Sequence, residues 1–276
     1  MGSATVRRVG LSSGEAGISA PVNIVQFHVL SRNFVQPMLT SQRKQLIRSR
    51  LQRDGQLIAK TFSAELGISE DTVRRDLREL AAEGHLQRVH GGALPASAAV
   101  GDMQVRAGLA PDDKRLLGRA GAALIHPGQV VILDGGTTSL QVVQHLPMDL
   151  RATVVTHSPT IAVALAGHVN IEVLTLGGRL FRHSMVNVGA SVIEGAARLR
   201  ADLYVMGVTG VHADAGLTTG DFEEAAVKRA LHACAAETVV LATLDKLGAA
   251  APFTVAPLKE LAALVVPSSL PTRLRK

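Results

Sequence analysis

Apolar positions recur with a helical period in the first third of the chain and as compact β-branched runs after residue 112. Between residues 70 and 84, Val73, Leu77, Leu80 and Gly84 fall on one side at about 100° per residue, with Ala81 close by. Arg74, Arg75 and Arg78 fan across the other side. Upstream, residues 43–53 predict a basic helix with Leu46, Ile47, Leu51 and the stem of Arg50 turned inward, ended by Gly55. A second short helix over residues 60–66 stops at Gly67, and residues 84–92 read as a strand and glycine turn bearing Arg88 and His90. Two helices, an arginine-bearing third helix and a basic hairpin predict a winged helix-turn-helix.

The start of the third helix is written in its capping chemistry. Ser69 is a favoured N-cap, and Glu70 and Asp71 put negative charge at the positive end of the helix dipole. Thr72 occupies the position where a capping box has Glu or Gln. Arginine forks match both phosphate oxygens and the major-groove edge of guanine, so the free face suits a DNA-reading helix; the bland alternative is a solvated outer face. The expected DNA-contacting set is Ser69, Thr72, Arg74, Arg75, Arg78, Arg88 and His90.

From residue 112 onward, helical and strand patterns alternate. Residues 113–125 read as a helix and residues 130–133 as a buried strand, and runs at 154–156, 171–176, 203–208, 239–241 and 263–266 repeat the strand signal with helices between. That alternation predicts an α/β fold with a mainly parallel sheet, whose ligands bind beyond the carboxyl ends of the strands. Asp134-Gly135-Gly136-Thr137-Thr138 leaves a strand and opens a helix, which makes it a phosphate cradle in principle. It matches neither a P-loop nor the dinucleotide glycine pattern, and a plain strand-to-helix turn is the competing reading. Gly177, Gly178 and Arg179 follow another strand, Lys228 lies on a helix over residues 222–235, and Lys246 follows the 239–241 strand. Taken together they are expected to surround the strand ends and favour a small phosphorylated ligand.

Charge sharpens the division. Residues 1–92 hold 13 Lys/Arg against 8 Asp/Glu, whereas residues 93–276 hold 16 against 15, so most of the net +6 lies on the half expected to meet DNA. The single cysteine, Cys234, excludes an intramolecular disulfide and reads as core. Ten histidines show no metal-ligand spacing, so neither a metal nor a cofactor is expected. Arg7-Arg8 is followed by an apolar stretch that Asn23, Gln26 and His28 interrupt, which argues against an export signal. No run reads as a membrane span. Residues 1–37 read as an extension without helical or strand period, 38–94 as the DNA-binding domain, 95–111 as a linker, 112–268 as the α/β domain and 269–276 as a basic tail.

These residues resemble a known family. Gly55, Leu57, Leu66-Gly67-Ile68-Ser69, Thr72-Val73-Arg74-Arg75-Asp76-Leu77, Leu80, Gly84 and Arg88-Val89-His90-Gly91-Gly92-Ala93 are similar, without a gap, to the amino-terminal domain of DeoR-type bacterial transcription regulators. Phe62-Ser63 stands where that family usually has Leu-Ala. Leu133-Asp134 with Gly136-Thr137-Thr138, Val155-Thr156 with Ser158, Gly177-Gly178, Glu224-Ala225 with Val227-Lys228, and Lys246 with Gly248 look like the family's sensor domain. The resemblance implies a fold similar to ribose-5-phosphate isomerase and a role in sensing phosphorylated intermediates of sugar metabolism. It adds His157 and Ser158 to the expected effector set, with His157 where Asn is usual. Thr243-Leu244-Asp245 replaces the family's common Asp-Ser-Ser. Met38 lies where such a protein normally begins, so residues 1–37 are either an extension or a misassigned start. The implied protein is a cytoplasmic homo-oligomeric repressor, dimer or tetramer, that leaves operator DNA when a phosphorylated sugar binds. The competing class is a sugar-phosphate isomerase carrying a DNA-binding module, for which Glu223, Glu224 and Asp245 are the candidate bases although no catalytic run is recognisable.

Overall fold

A computed structural model describes residues 38–97 and 103–269. The expected extension at residues 1–37, the middle of the linker and nearly all of the basic tail lie outside the described residues.

The first part is built of α1 (Thr40–Asp54), β1 (Leu57–Ile58), α2 (Ala59–Leu66), α3 (Glu70–Ala82), β2 (Leu86–Val89) and β3 (Gly92–Pro95). Gly55 and Gly67 end α1 and α2 with φ of 74° and 62°, a left-handed turn that only glycine enters without steric cost. The three strands form an antiparallel sheet in the order β1-β3-β2. Ile47, Leu51, Phe62, Val73, Leu77, Leu80 and Leu86 make one core, so Phe62 does fill a core position. Gly84, counted above with the packed face, lies beyond the helix end, exposed and at φ 75°.

A buried ion pair fixes how α3 sits on α1. Asp76 is fully buried and Arg43 nearly so; the guanidinium donates through Nε and, at 3.0 Å, through a terminal nitrogen to the two carboxylate oxygens. The same guanidinium reaches the Met38 carbonyl at 3.2 Å. Asp76 thus occupies the inner face of the helix whose outer face carries the arginines.

The linker is more structured than its composition suggested. Pro95 closes β3, Ala96 pairs with Ala250 of the second domain, and Met103–Ala107 forms a helix, α4. Then come α5 (Pro111–Ala122), β4 (Val130–Leu133), α6 (Thr137–Gln144), β5 (Ala152–Thr156), α7 (Pro159–Ala164), β6 (Ile171–Thr175), β7 (Arg179–Phe181), β8 (Val186–Val188), α8 (Ala190–Ala197), β9 (Ala201–Met206), β10 (Gly210–His212), β11 (Gly216–Thr219), α9 (Phe222–Ala233), β12 (Ala235–Leu241), β13 (Phe253–Ala256) and β14 (Ala263–Val265).

Six strands form a parallel sheet in the order β14-β12-β9-β4-β5-β6. Alternation along β9 sends Leu203 and Val205 into the apolar layer shared with Leu117, Val142 and Ile161, while Tyr204 and Met206 join Val192, Ala225 and Leu231 on the other face. Cys234 is buried in that second layer, as expected. The sequence pattern did not separate out two smaller units, the β7-β8 hairpin and the antiparallel β10-β11-β13 sheet. Chain order runs outward from β4 through β5 and β6 on one side and through β9, β12 and β14 on the other. The switch point, where such sheets open a crevice, therefore falls between β4 and β9. No helix among the described residues is long and apolar enough to cross a membrane.

Replacing Asp76 with alanine leaves the Arg43 charge buried and unpaired, a change that typically costs about 3–5 kcal/mol. Urea unfolding of Asp76→Ala is expected to show that loss; an unchanged midpoint would mean the pair does not hold α3 in place.

Candidate DNA interface and effector cleft

On α3, the Ser69 hydroxyl accepts from the Thr72 amide at 3.2 Å and shares a 2.8 Å bond with the Thr72 hydroxyl. Both hydroxyls are therefore committed to the cap, and they stand at the start of the exposed face. Arg74, Arg75 and Arg78 are all exposed. Arg74 is held by Glu70 one turn back, at 2.7 Å, whereas no hydrogen bond or ion pair to another described residue engages Arg75 or Arg78. Arg88 on β2 and His90 in the following turn are exposed as well. The structure thus carries the expected DNA-contacting residues on one helix and its wing, with the guanidiniums of Arg75, Arg78 and Arg88 unengaged by other described residues.

The second site is built beneath the switch point. Asp134, directly after β4, is fully buried, and its carboxylate accepts from five donors. Oδ1 receives the Gly135 amide and His157 Nε2, both at 2.8 Å. Oδ2 receives the Gly207 amide at 2.8 Å, the Tyr204 hydroxyl at 3.2 Å and the Lys228 ammonium. Burial alone pushes the Asp134 carboxyl up, but the Lys228 ammonium and the His157 hydrogen bond together outweigh it and hold the group well below the usual carboxylate range. Lys228 answers in kind: burial lowers its pKa, and Asp134 and Glu224 more than restore it. Lys228 also donates to the Gly207 carbonyl at 2.9 Å and lies 3.5 Å from Glu224.

Above this network opens a cleft lined by Gly135, Gly136, Thr137 and Thr138 at the start of α6, by Lys228 and Glu224 on α9, by Lys246 and Asp245 after β12, and by Arg106 and Lys114 from the other side. Gly136 takes φ 114°, which a side chain would resist, so the loop turns its backbone into α6 there. The start of α6, three lysines and an arginine make a mouth with the chemistry to take an anion. Lys246 is half-buried, and its ammonium forms no hydrogen bond or ion pair with another described residue. Desolvation, only partly offset by neighbouring Asp245, lowers its pKa to about 8. Lys114 is likewise lowered by burial, and its ammonium donates to the Arg106 carbonyl.

Of the residues expected at the effector site, Gly135, Gly136, Thr137, Thr138, Lys228 and Lys246 line this cleft. Asp134 and His157 lie beneath it, fully buried; His157 spans from Asp134 to the Asn187 carbonyl, 2.8 Å from Nδ1. Ser158 is buried and donates to the Met185 carbonyl at 3.0 Å. The structure does not bring Gly177, Gly178 or Arg179 into the lining: Arg179 is exposed and paired with Glu223, and Gly178 packs against β8 and α8. Sequence reasoning missed Arg106, Lys114, Ser184 and Thr209 as cleft residues, and placed Glu224 and Asp245 only as candidate bases of the competing isomerase class. One signal was available. Asp221, Glu224 and Lys228 stand at N-cap and i,i+4 spacing on α9, which places Glu224 beside Lys228.

Residues 43–98 match the DeoR-like helix-turn-helix domain, and residues 110–268 match the DeoR C terminal sensor domain. The HTH-type transcriptional regulator GlpR of Haloferax volcanii is 34% identical over 216 residues, spanning 76% of this chain and 83% of that protein. The HTH-type transcriptional repressor GlcR of Bacillus subtilis is 31% identical over 217 residues, spanning 78% and 83%. A putative aga operon transcriptional repressor of Escherichia coli O157:H7 is 26% identical over 236 residues, spanning 84% and 88%. Among solved structures, a ribose 5-phosphate isomerase A from Methanocaldococcus jannaschii overlaps 50% of this chain and 54% of its own at a TM-score of 0.38 and 18% identity. Both halves of the chain match the domains of one regulator family, and its sequence relatives are regulators rather than isomerases: the chain belongs to the DeoR family of DNA-binding transcriptional regulators.

Proposed function

We propose that this regulator represses genes of carbohydrate metabolism and leaves its operator when a phosphorylated sugar enters the cleft. The observation that carries the reading is the Lys246 ammonium, desolvated and without an ion-pair partner among the described residues, beside the amides that open α6. A dianionic phosphate supplies the missing counter-charge and accepts from those amides. The relatives named as repressors support the sign of regulation.

The proposed division assigns DNA contact to residues 38–94, through Arg74, Arg75, Arg78, Arg88 and His90 with Ser69 and Thr72 at the helix start, and sensing to residues 112–268. Asp134, His157 and Ser158 act from below, by holding Lys228 and the α6 loop. A homo-oligomer presents paired winged helices to repeated half-sites. Communication between the halves has a short route. Four residues after Lys246, the Ala250 amide donates to the Pro95 carbonyl at 3.3 Å, and Ala250 pairs with Ala96 at the end of the wing strand β3. A ligand that shifts Lys246 thereby pulls on the strand that carries the wing. Release requires the ligand to favour the non-binding arrangement by several kcal/mol, not merely to bind.

The direct test is fluorescence anisotropy of the full chain on the DNA upstream of its own gene and neighbouring genes, at fixed salt, with and without phosphorylated sugars. Tight binding released by one of them is the expected result, and tight binding indifferent to all of them would refute the effector half of the reading. Arg75→Ala is expected to weaken operator binding by about 1–3 kcal/mol if its contact is bidentate to a base. Unchanged affinity at matched salt would remove Arg75 from the interface.

The lowered pKa of Lys246 gives a pH dependence with a definite sign. Only the ammonium attracts the anion, so effector affinity should fall as pH rises from 7 to 9 through about 8. Phosphate, whose second pKa is about 6, is already dianionic over that range. Lys246→Arg keeps its charge and should flatten the decline. A flat wild-type profile in calorimetric titrations would exclude Lys246 as the anion's partner.

A further inference from the structure

The cleft has a second compartment. Arg106, Ser184, Thr209 and Glu224 line the anion-binding mouth and also border an adjoining cavity of about 130 Å³, whose remaining walls are Phe181, His183, Gly220 and Asp221. The Phe181 and His183 rings are stacked, with centroids 5.7 Å apart and planes inclined by 25°. Phe181 is anchored by packing against the core layer that contains Tyr204 and Val211, and its strand is held by pairing with Val186. Glu224 is oriented by the Thr219 hydroxyl at 3.0 Å and the Ser184 hydroxyl at 3.4 Å, and Asp221 is fixed as the N-cap of α9, accepting from the Glu224 amide at 2.9 Å.

The two compartments differ in chemistry. The mouth gathers Lys114, Lys228, Lys246 and Arg106 against the carboxylates Asp245 and Glu224. The second compartment keeps Arg106 against Asp221 and Glu224, with two hydroxyls and an aromatic pair, so its balance is acidic. Carboxylates accept from sugar hydroxyls, and an aromatic face packs against the C–H face of a pyranose or furanose ring. A second phosphate placed there would meet Asp221 and Glu224 and be repelled.

We propose that the effector is a cyclic sugar carrying a single phosphate, held with the phosphate at the α6 mouth and the ring in the Phe181/His183/Asp221/Glu224 compartment; three-carbon phosphates leave this second compartment unfilled and bind more weakly, and its carboxylates repel sugar bisphosphates. This rests on the reading that the cleft takes a phosphorylated sugar, and it narrows the ligand to one that fills both parts. Arg106 and Glu224 border both compartments and contact the ligand near its middle.

Isothermal titration of the full-length protein with inorganic phosphate, glycerol 3-phosphate, hexose 6-phosphates and a hexose bisphosphate tests it. At least one hexose monophosphate is expected to bind about tenfold or more tighter than glycerol 3-phosphate and than the bisphosphate. Phe181→Leu, which keeps an apolar side chain against the core and removes the aromatic face, should lower hexose monophosphate affinity about two- to tenfold, and by more than it lowers glycerol 3-phosphate affinity. Glycerol 3-phosphate or the bisphosphate binding as tightly as every hexose monophosphate would overturn the two-compartment ligand while leaving phosphate sensing intact. Failure of every phosphorylated probe to bind would overturn phosphate sensing itself, and the two-compartment ligand with it.

Discussion

The sensor domain depends on a carboxylate held in its dry interior. An unpaired charge in that position costs several kcal/mol of lost hydration, so Asp134 is tolerable only because its donors converge on it. They come from different elements: Gly135 from its own loop, His157 from the end of β5, Tyr204 and Gly207 from β9 and its exit, and Lys228 from α9. Strands β4, β5 and β9 and helix α9 are therefore registered to one another at the ligand end of the sheet by a polar constraint as well as by apolar packing. The loop from Gly135 to Thr138 is left with little freedom: the Gly135 amide is spent on Asp134, and the start of α6 already borders the cleft before any ligand arrives. Such preorganisation lowers the ordering cost of binding an anion.

The DNA-binding half uses the same device on a smaller scale. Asp76 is turned into the interior of α3 and clasped by Arg43 from α1, which leaves the arginines of α3 on the outer face. In each half a buried acid meets a base from a distant part of the chain and thereby orients a functional surface. The two halves meet where the loop after Lys246 pairs with the end of β3, so the cleft and the wing share a backbone boundary. The Ala249-Ala250-Ala251 run fits that role: all three residues are buried, and side chains this small permit close backbone approach. Gly210 next to it has no room for a Cβ, which would lie 2.5 Å from the Ala249 carbonyl oxygen.

Much of this was legible in the sequence because it is local. Ser69, the α3 period and Gly67 define the reading helix from hydrogen bonds and turns a few residues long. The β-branched runs named every strand of the parallel sheet; the inner strands β4, β5 and β9, buried on both faces, carry a continuous apolar signature, whereas the edge strands β6 and β14 are largely exposed and show only a short apolar run. The short strands of the β7-β8 hairpin and the β10-β11-β13 sheet were missed, being too brief and mixed in polarity to show a period.

What the chain by itself determined was the kind of protein: a winged helix-turn-helix joined to a parallel α/β domain with anion-friendly loops at the strand ends, each feature resting on a period or a turn within a few residues. Tertiary structure decided which side chains share a space. Asp134 and Lys228 are 94 residues apart, and Arg43 and Asp76 are 33 apart. No local pattern encodes such partners, because they are chosen by the packing of the sheet and helices between them. The same packing carried Arg179 outward to Glu223, brought Arg106 and Lys114 to the cleft, and set Phe181 and His183 beside Glu224.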